Sequence, residues 1–137
     1  MVQHKGMQTG DGRKQNMEKS ETKTNLTVDA AKKSLGRVAS EVAVLLMGKN
    51  RADYARHIAP EVNVTIVNAS LVRISAKKKR GEKYVWHTGY PGGKREETLG
   101  KRLERKGYED VFRKTIYGML PANRLRARMM KNLIIEL

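Results

Sequence analysis

The chain contains no cysteine, and only three prolines, one tryptophan and one phenylalanine in 137 residues. Without thiols, disulfide frameworks, thiolate metal sites and cysteine nucleophiles are excluded, and a reducing, cytosolic compartment fits. No apolar run approaches the ~18 residues that a membrane-spanning helix needs, the longest being interrupted by Gly48 and Lys49. The opening stretch MVQHKGMQTGDGRKQNMEKSETKTN scatters charge and holds no apolar segment, unlike a secretory signal. Aromatics total seven (Tyr54, Tyr84, Trp86, Tyr90, Tyr108, Phe112, Tyr117), too few for base stacking to be a repeated device. Acidic residues are scarce as well: 14 Asp and Glu face 29 Lys and Arg, a formal net charge of +15. That imbalance disfavours the compact state by self-repulsion and makes sense where a polyanion neutralises it.

The hydrophobic fraction of 39% permits a small core and not a large one. Residues 1–24 lack the branched aliphatics needed to offset ordering entropy, so they read as a flexible tail, with 25–137 as a single folded domain. The tail is nearly neutral at +2, which leaves +13 for the folded part. A short strand is expected at Leu26–Ala30. Leu35, Val38, Ala39, Val42, Leu45 and Leu46 then recur at helical spacing, and Gly48 stands where a C-terminal cap belongs. Val62–Asn68 and Val72–Ala76 read as strands, the nearly continuous apolar stretch suggesting burial on both faces. Glu82–Thr88 reads as a strand or hairpin arm leading into a turn-rich HTGYPGGKR. Helical patterns follow over Glu96–Lys106, Tyr108–Met119 and about Ala122–Lys131, before a short apolar end, NLIIEL. The order is that of an α/β fold with helices packed on a small sheet.

Catalytic chemistry finds no support in the spacing. His4, His57 and His87 have no i, i+4 partner and no HExxH pattern, and none of the five serines sits in a GxSxG elbow. Gly48-Lys49-Asn50 resembles the end of a P-loop, but Ala43 replaces its first glycine and Asn50 its magnesium-binding hydroxyl. Gly92-Gly93-Lys94-Arg95 fails the same test at Thr88. No cofactor, metal or small-molecule substrate is expected.

The positive signal is a set of basic runs: Lys77-Lys78-Lys79-Arg80, Lys94-Arg95, Lys101-Arg102 with Arg105-Lys106, Arg113-Lys114, and Arg124, Arg126, Arg128 with Lys131. Between Lys94 and Lys131 twelve cations face five acids. Such side chains neutralise phosphates and give affinity through counterion release, without sequence information of their own. Any one run is as compatible with a solvated helix face; five in one small domain favour nucleic acid. No helix-turn-helix, basic zipper, zinc finger, RRM or KH signature is present, so backbone contact with folded RNA is the expected mode. Tyr84 and Trp86 share one face of their strand, where core packing is the expected role.

At HTGYPGG (87–93) and YGMLP (117–121) the chain resembles the large-ribosomal-subunit protein L thirteen family in its bacterial and organellar form. Val28-Asp29-Ala30, Leu35 to Ser40, Gly48-Lys49-Asn50, Val67-Asn68-Ala69 and Leu125 to Leu133 match in the same order over residues 28 to about 135. The resemblance implies a three-layer α/β/α fold with a small, mainly parallel sheet of about four strands and a basic helical C-terminal part. It also implies a cytoplasmic location on the ribosome rather than in an organelle, neighbouring ribosomal proteins as partners, and binding of large-subunit rRNA early in assembly, without membrane contact. The expected RNA-binding residues are Arg37, Lys49, Lys77, Lys78, Lys79, Arg80, His87, Thr88, Gly89, Gly92, Gly93, Lys94, Arg95, Arg113, Lys114, Arg124, Arg126, Arg128 and Lys131. Gly89, Gly92 and Gly93 would let backbone N–H groups approach phosphates; a turn that merely needs positive φ is the alternative. The chain departs from the family in having Tyr117 where lysine is usual, and Arg126-Ala127 where Gly-Arg is common. A nucleoid or RNA-chaperone protein and a small nucleotide-binding enzyme are the competing classes.

Overall fold

A computed structural model describes residues 24–137. The tail expected over 1–24 lies outside the described residues except for Thr24, which opens the first strand. Period-two alternation governs the sheet. β1 (Thr24–Asp29), β2 (Val62–Val67) and β5 (Leu133–Ile135) form a three-stranded parallel sheet in the order β1-β2-β5. In β2, Val62, Val64 and Ile66 are buried, whereas Asn63, Thr65 and Val67 are half-buried. The expectation of burial on both faces is therefore corrected: the polar Asn63 and Thr65 mark the less covered side. The apolar end of the chain turns out to be β5, in register with β2 at Val64↔Leu133.

α1 (Leu35–Leu46) buries Leu35, Val38, Ala39, Val42, Ala43 and Leu46, the stripe its periodicity predicts, and ends before Gly48 at φ 71°. It packs on β1, β2 and α3 (Leu99–Met119), whose Val111, Phe112 and Ile116 are fully buried. Gly107 interrupts α3 at φ 78°, ψ −177°, a conformation reserved for glycine, as the break in the sequence pattern implies.

Two matched tripeptides meet at the carboxyl ends of β1 and β2. The Asp29 carboxylate accepts from the Ala31 N–H at 2.9 Å and from Asn68 Nδ2 at 3.0 Å, while Ala30 N–H donates to the Val67 carbonyl at 3.1 Å. Ala30 and Ala69 are fully buried, so these residues lock the strand ends together.

Three element assignments need correction. Val72–Ala76 is not a strand: only Arg73 bridges to Ser34, and Ser75 then caps α2 (Ala76–Gly81) by accepting from the Lys78 N–H. Glu96–Thr98 is not helical but belongs to β4 (Lys94–Thr98), which pairs antiparallel with β3 (Lys83–His87) in a separate hairpin. Thr98 caps α3, so the helix starts at Leu99, its first buried apolar residue. The final helix, α4 (Arg126–Lys131), begins at Arg126 rather than Ala122; Leu125 precedes it without a side-chain cap, and the Asn123 side chain accepts from the Arg126 N–H at 3.1 Å.

Candidate nucleic-acid interface

The hairpin presents HTGYPGG at its tip. Thr88 N–H donates to the Gly93 carbonyl and Gly93 N–H to the Tyr90 carbonyl, at 3.0 and 2.9 Å. His87 Nδ1 accepts from the Gly89 N–H at 3.0 Å. Gly89 and Gly92 stand at φ 91° and 71°, with open space where a Cβ would be. Gly93 is required by crowding instead: a Cβ there would collide with the Thr88 hydroxyl and lie 2.7 Å from the Tyr90 carbonyl oxygen. The glycines thus build the turn, and the N–H groups of Gly89 and Gly93 are engaged inside it. Gly92 N–H has no partner among the described residues.

Tyr84 and Trp86 project from the same face of β3, but only Tyr84 reaches the core, with the Arg102 guanidinium 4.8 Å above its ring. Burial, the largest influence, pushes the Tyr84 hydroxyl pKa up. Trp86, two residues further out, is 43% exposed, and Tyr90 at the tip is 76% exposed. The expectation of core packing is therefore wrong for Trp86, because the hairpin arm extends past the body that Tyr84 packs against. Trp86 stands opposite Arg95, whose side chain has no acidic partner among the described residues.

The basic runs differ in what neutralises them. In α2, Lys78 pairs with Glu82 at 3.4 Å, whereas Lys77, Lys79 and Arg80 are exposed without an acidic partner among the described residues. Lys94 pairs with Glu96 at 2.7 Å; the same carboxylate takes Lys83 at 3.1 Å, and these two cations hold the Glu96 pKa below its usual range. Arg102 is buried, donating to Asp110 across the Gly107 break and lying 3.8 Å from Glu97. Arg105 forks onto Glu97 with two bonds of 2.8 Å, which lower the Glu97 pKa, and Lys106 lies 3.8 Å from Asp110. Arg113 donates to Glu109 at 2.9 Å, and Lys114 lies exposed, 5.9 Å from the Tyr84 ring centre. Part of the sequence's basic signal therefore holds α3 together and docks it on β4.

The C-terminal cations are freer. Arg124, Arg128 and Lys131 are exposed without an acidic partner among the described residues. Arg126 is the exception: its Nε and Nη2 donate to the carbonyls of Pro121 and Leu120 at 3.0 Å each, and its guanidinium stacks 4.4 Å from the Tyr117 ring. Tyr117, the departure from the family's usual lysine, thus helps hold Arg126 against the GMLP turn. Lys49, exposed after α1, lines a concavity with Arg56, Tyr54 and Asn123, and Arg37 lines a separate groove beside Lys32, Lys33 and Arg73. Sequence reading did not single out Lys32, Lys33, Arg56 or Arg73. None belongs to a long basic run, and their signal is positional: Lys32, Lys33 and Arg73 follow the carboxyl ends of β1 and β2.

A small α/β fold with exposed cations on several separate elements is chemically a surface for phosphates. Among the described residues no three His, Asp or Glu gather as metal ligands, and no helix is long and apolar enough to cross a membrane. Residues 23–135 match the family of Ribosomal protein L13. The chain is 43% identical over 108 residues to large ribosomal subunit protein uL13 of Rubrobacter xylanophilus, covering 79% of this chain and 75% of that protein. It is 45% identical over 106 residues to the uL13 of Aquifex aeolicus, covering 77% and 73%. The chain belongs to the ribosomal protein L13 family, whose members are structural, non-enzymatic constituents of the large ribosomal subunit.

Proposed function

We propose that residues 25–137 bind large-subunit rRNA by its phosphate backbone, and that this binding, together with contacts to neighbouring ribosomal proteins, supports early subunit assembly and translation on cytoplasmic ribosomes. One observation carries the reading: the cations left without acidic partners lie on separate exposed elements, namely α2, the hairpin at Arg95, Lys49, and the C-terminal Arg124, Arg128 and Lys131. Each cation that meets a phosphate releases condensed counterions, so affinity should fall steeply with salt. The HTGYPGG turn adds His87, Thr88 and the Gly92 N–H, a set of donors with no carboxylate in the turn itself. Pro91 and the internal hydrogen bonds reduce the entropy that the turn would lose on binding.

The test is sedimentation of a cell lysate through a moderate salt wash. The expected outcome is near-stoichiometric travel with the large subunit; a pool found mostly free or on DNA would sink the reading. The chain's single tryptophan gives a local readout. Binding of a large-subunit rRNA transcript at the hairpin should change Trp86 fluorescence, whereas an unchanged spectrum at saturation would remove the hairpin from the interface.

A further inference from the structure

The groove lined by Lys32, Lys33, Arg37, Arg73 and Lys78 draws its cations from two stretches distant in sequence, 32–37 and 73–78, and contains one acid, Glu41. All five cations are exposed. The two loop segments that form its wall are joined through their backbones: Lys32 N–H donates to the Leu71 carbonyl at 3.1 Å, and Arg73 N–H to the Lys33 carbonyl at 2.8 Å. Their side chains therefore project from a fixed frame rather than from a flexible loop. The first segment begins three residues after β1, and the second comes after β2 and a 3-10 turn over Ala69–Leu71, so the groove lies on the side of the carboxyl ends of these parallel strands, where open α/β sheets bind their ligands. Lys33 pairs with Glu41 at 3.3 Å and Lys78 with Glu82 at 3.4 Å, leaving Lys32, Arg37 and Arg73 without an acidic partner among the described residues.

We propose that this groove is a separate phosphate-binding site that seats a stretch of RNA backbone, apart from the hairpin and the C-terminal segment. The proposal rests on the rRNA-binding reading and joins Lys32 and Arg73, which belong to no basic run, with the expected Arg37 and Lys78 in one site. A concave cluster of cations suits consecutive phosphodiesters, and the Arg73 and Arg37 guanidiniums can each fork onto phosphate oxygens.

The test uses the full chain and a large-subunit rRNA transcript, with affinity measured across a potassium chloride series. Lys32 holds a left-handed φ of 59°, so Lys32→Gly removes the charge while easing the backbone; Arg73→Gln keeps the backbone bond to Lys33. The double variant should lower the salt slope by about 1.4 to 1.8 and weaken binding about 30-fold near ~0.1 M salt, taking 0.7 to 0.9 per phosphate. Glu41→Gln, which removes the groove's acid and frees Lys33, should strengthen binding several-fold. The Trp86 fluorescence change at saturating RNA should survive in both variants. Unchanged slope and affinity in both, with wild type binding normally, would overturn the groove alone. Failure of the wild type to bind rRNA would overturn the rRNA reading and the groove together.

Discussion

Two stretches with the same texture in sequence, Lys101 to Lys106 and Arg124 to Lys131, are put to different uses. In the first, Arg102, Arg105 and Lys106 are bound to Glu97 and Asp110, and Arg102 is mostly buried, bonded across the Gly107 break of α3. In the second, Arg124, Arg128 and Lys131 face solvent, while only Arg126 turns inward, onto carbonyls and the Tyr117 ring. What separates them is the position of acids in space. Glu97 reaches the first run from β4, and Asp110 reaches it across the Gly107 break, whereas among the described residues no acid side chain pairs with the second. Net charge counts cations; only the fold decides which of them remain available to a polyanion.

The sharpest way to break the comparison is Arg102→Ala. It strips the half-buried Asp110 of its strongest donor and takes the guanidinium off the Tyr84 ring, while Glu97 keeps Arg105, so the expected cost is about 2 kcal/mol of stability. In a domain of this size that lowers Tm by roughly 10 °C, measurable by thermal melts. The salt slope of RNA binding, taken at a temperature where the variant is folded, should not change. Arg124→Gln with Arg128→Gln should do the reverse: an unaltered Tm and about 30-fold weaker rRNA binding near ~0.1 M salt, with a slope reduced by about 1.4 to 1.8. A loss of stability in the second variant would erase the distinction between the two stretches.

Glu96→Gln sharpens the same comparison with a smaller effect of opposite sign. Glu96 neutralises both Lys83 and Lys94, so removing its charge converts two engaged cations of the hairpin into open ones. The expected outcome is rRNA binding a few-fold tighter, steeper in salt, and little loss of stability, since the pairs are exposed. Weaker binding would mean that Glu96 positions Lys94 rather than masking it.

The residues explain why some of this was legible in advance and some was not. The stripe of α1 and the alternation of β2 follow periods that local sequence displays, and Gly48 and Gly107 mark breaks that only glycine accommodates. Val72–Ala76 read as a strand because its residues suit one, but Ser75 caps a helix one residue later and no neighbouring strand pairs with the segment beyond Arg73. Glu96–Thr98 continued the helical pattern on paper, yet pairing with β3 outweighed propensity, as tertiary partners can. The HTGYPGG turn was visible by its glycines. The reason for Gly93, however, is a collision with Thr88 and Tyr90 that no spacing rule contains. Arg37 was expected to bind RNA, but its grouping with Lys32 and Arg73 in one groove was hidden because the segments come together only when β1 and β2 pair.

The smallest effect concerns an acid that neutralises no cation directly. Asp29 is stabilised as a carboxylate first by the Ala31 N–H, then by Asn68 Nδ2, with Lys33 a lesser influence, and its pKa is held below the usual carboxylate range. A folded pKa below the unfolded one means stability that is present above the ordinary value, near about pH 4, and lost as the pH falls through the depressed folded pKa. Asp29→Asn keeps an oxygen acceptor and removes the charge. Denaturant midpoints should therefore show the wild type modestly more stable at pH 7 and pH 5, with the gap closing as the pH is lowered from 4 toward 2. Because the main donors are neutral groups held at 2.9 and 3.0 Å, the gap at pH 7 should persist in high salt, in contrast to the exposed Lys83–Glu96–Lys94 pairs. A gap that disappears with salt at neutral pH would make Lys33, not the strand-end lock of Ala31 and Asn68, the principal partner of Asp29.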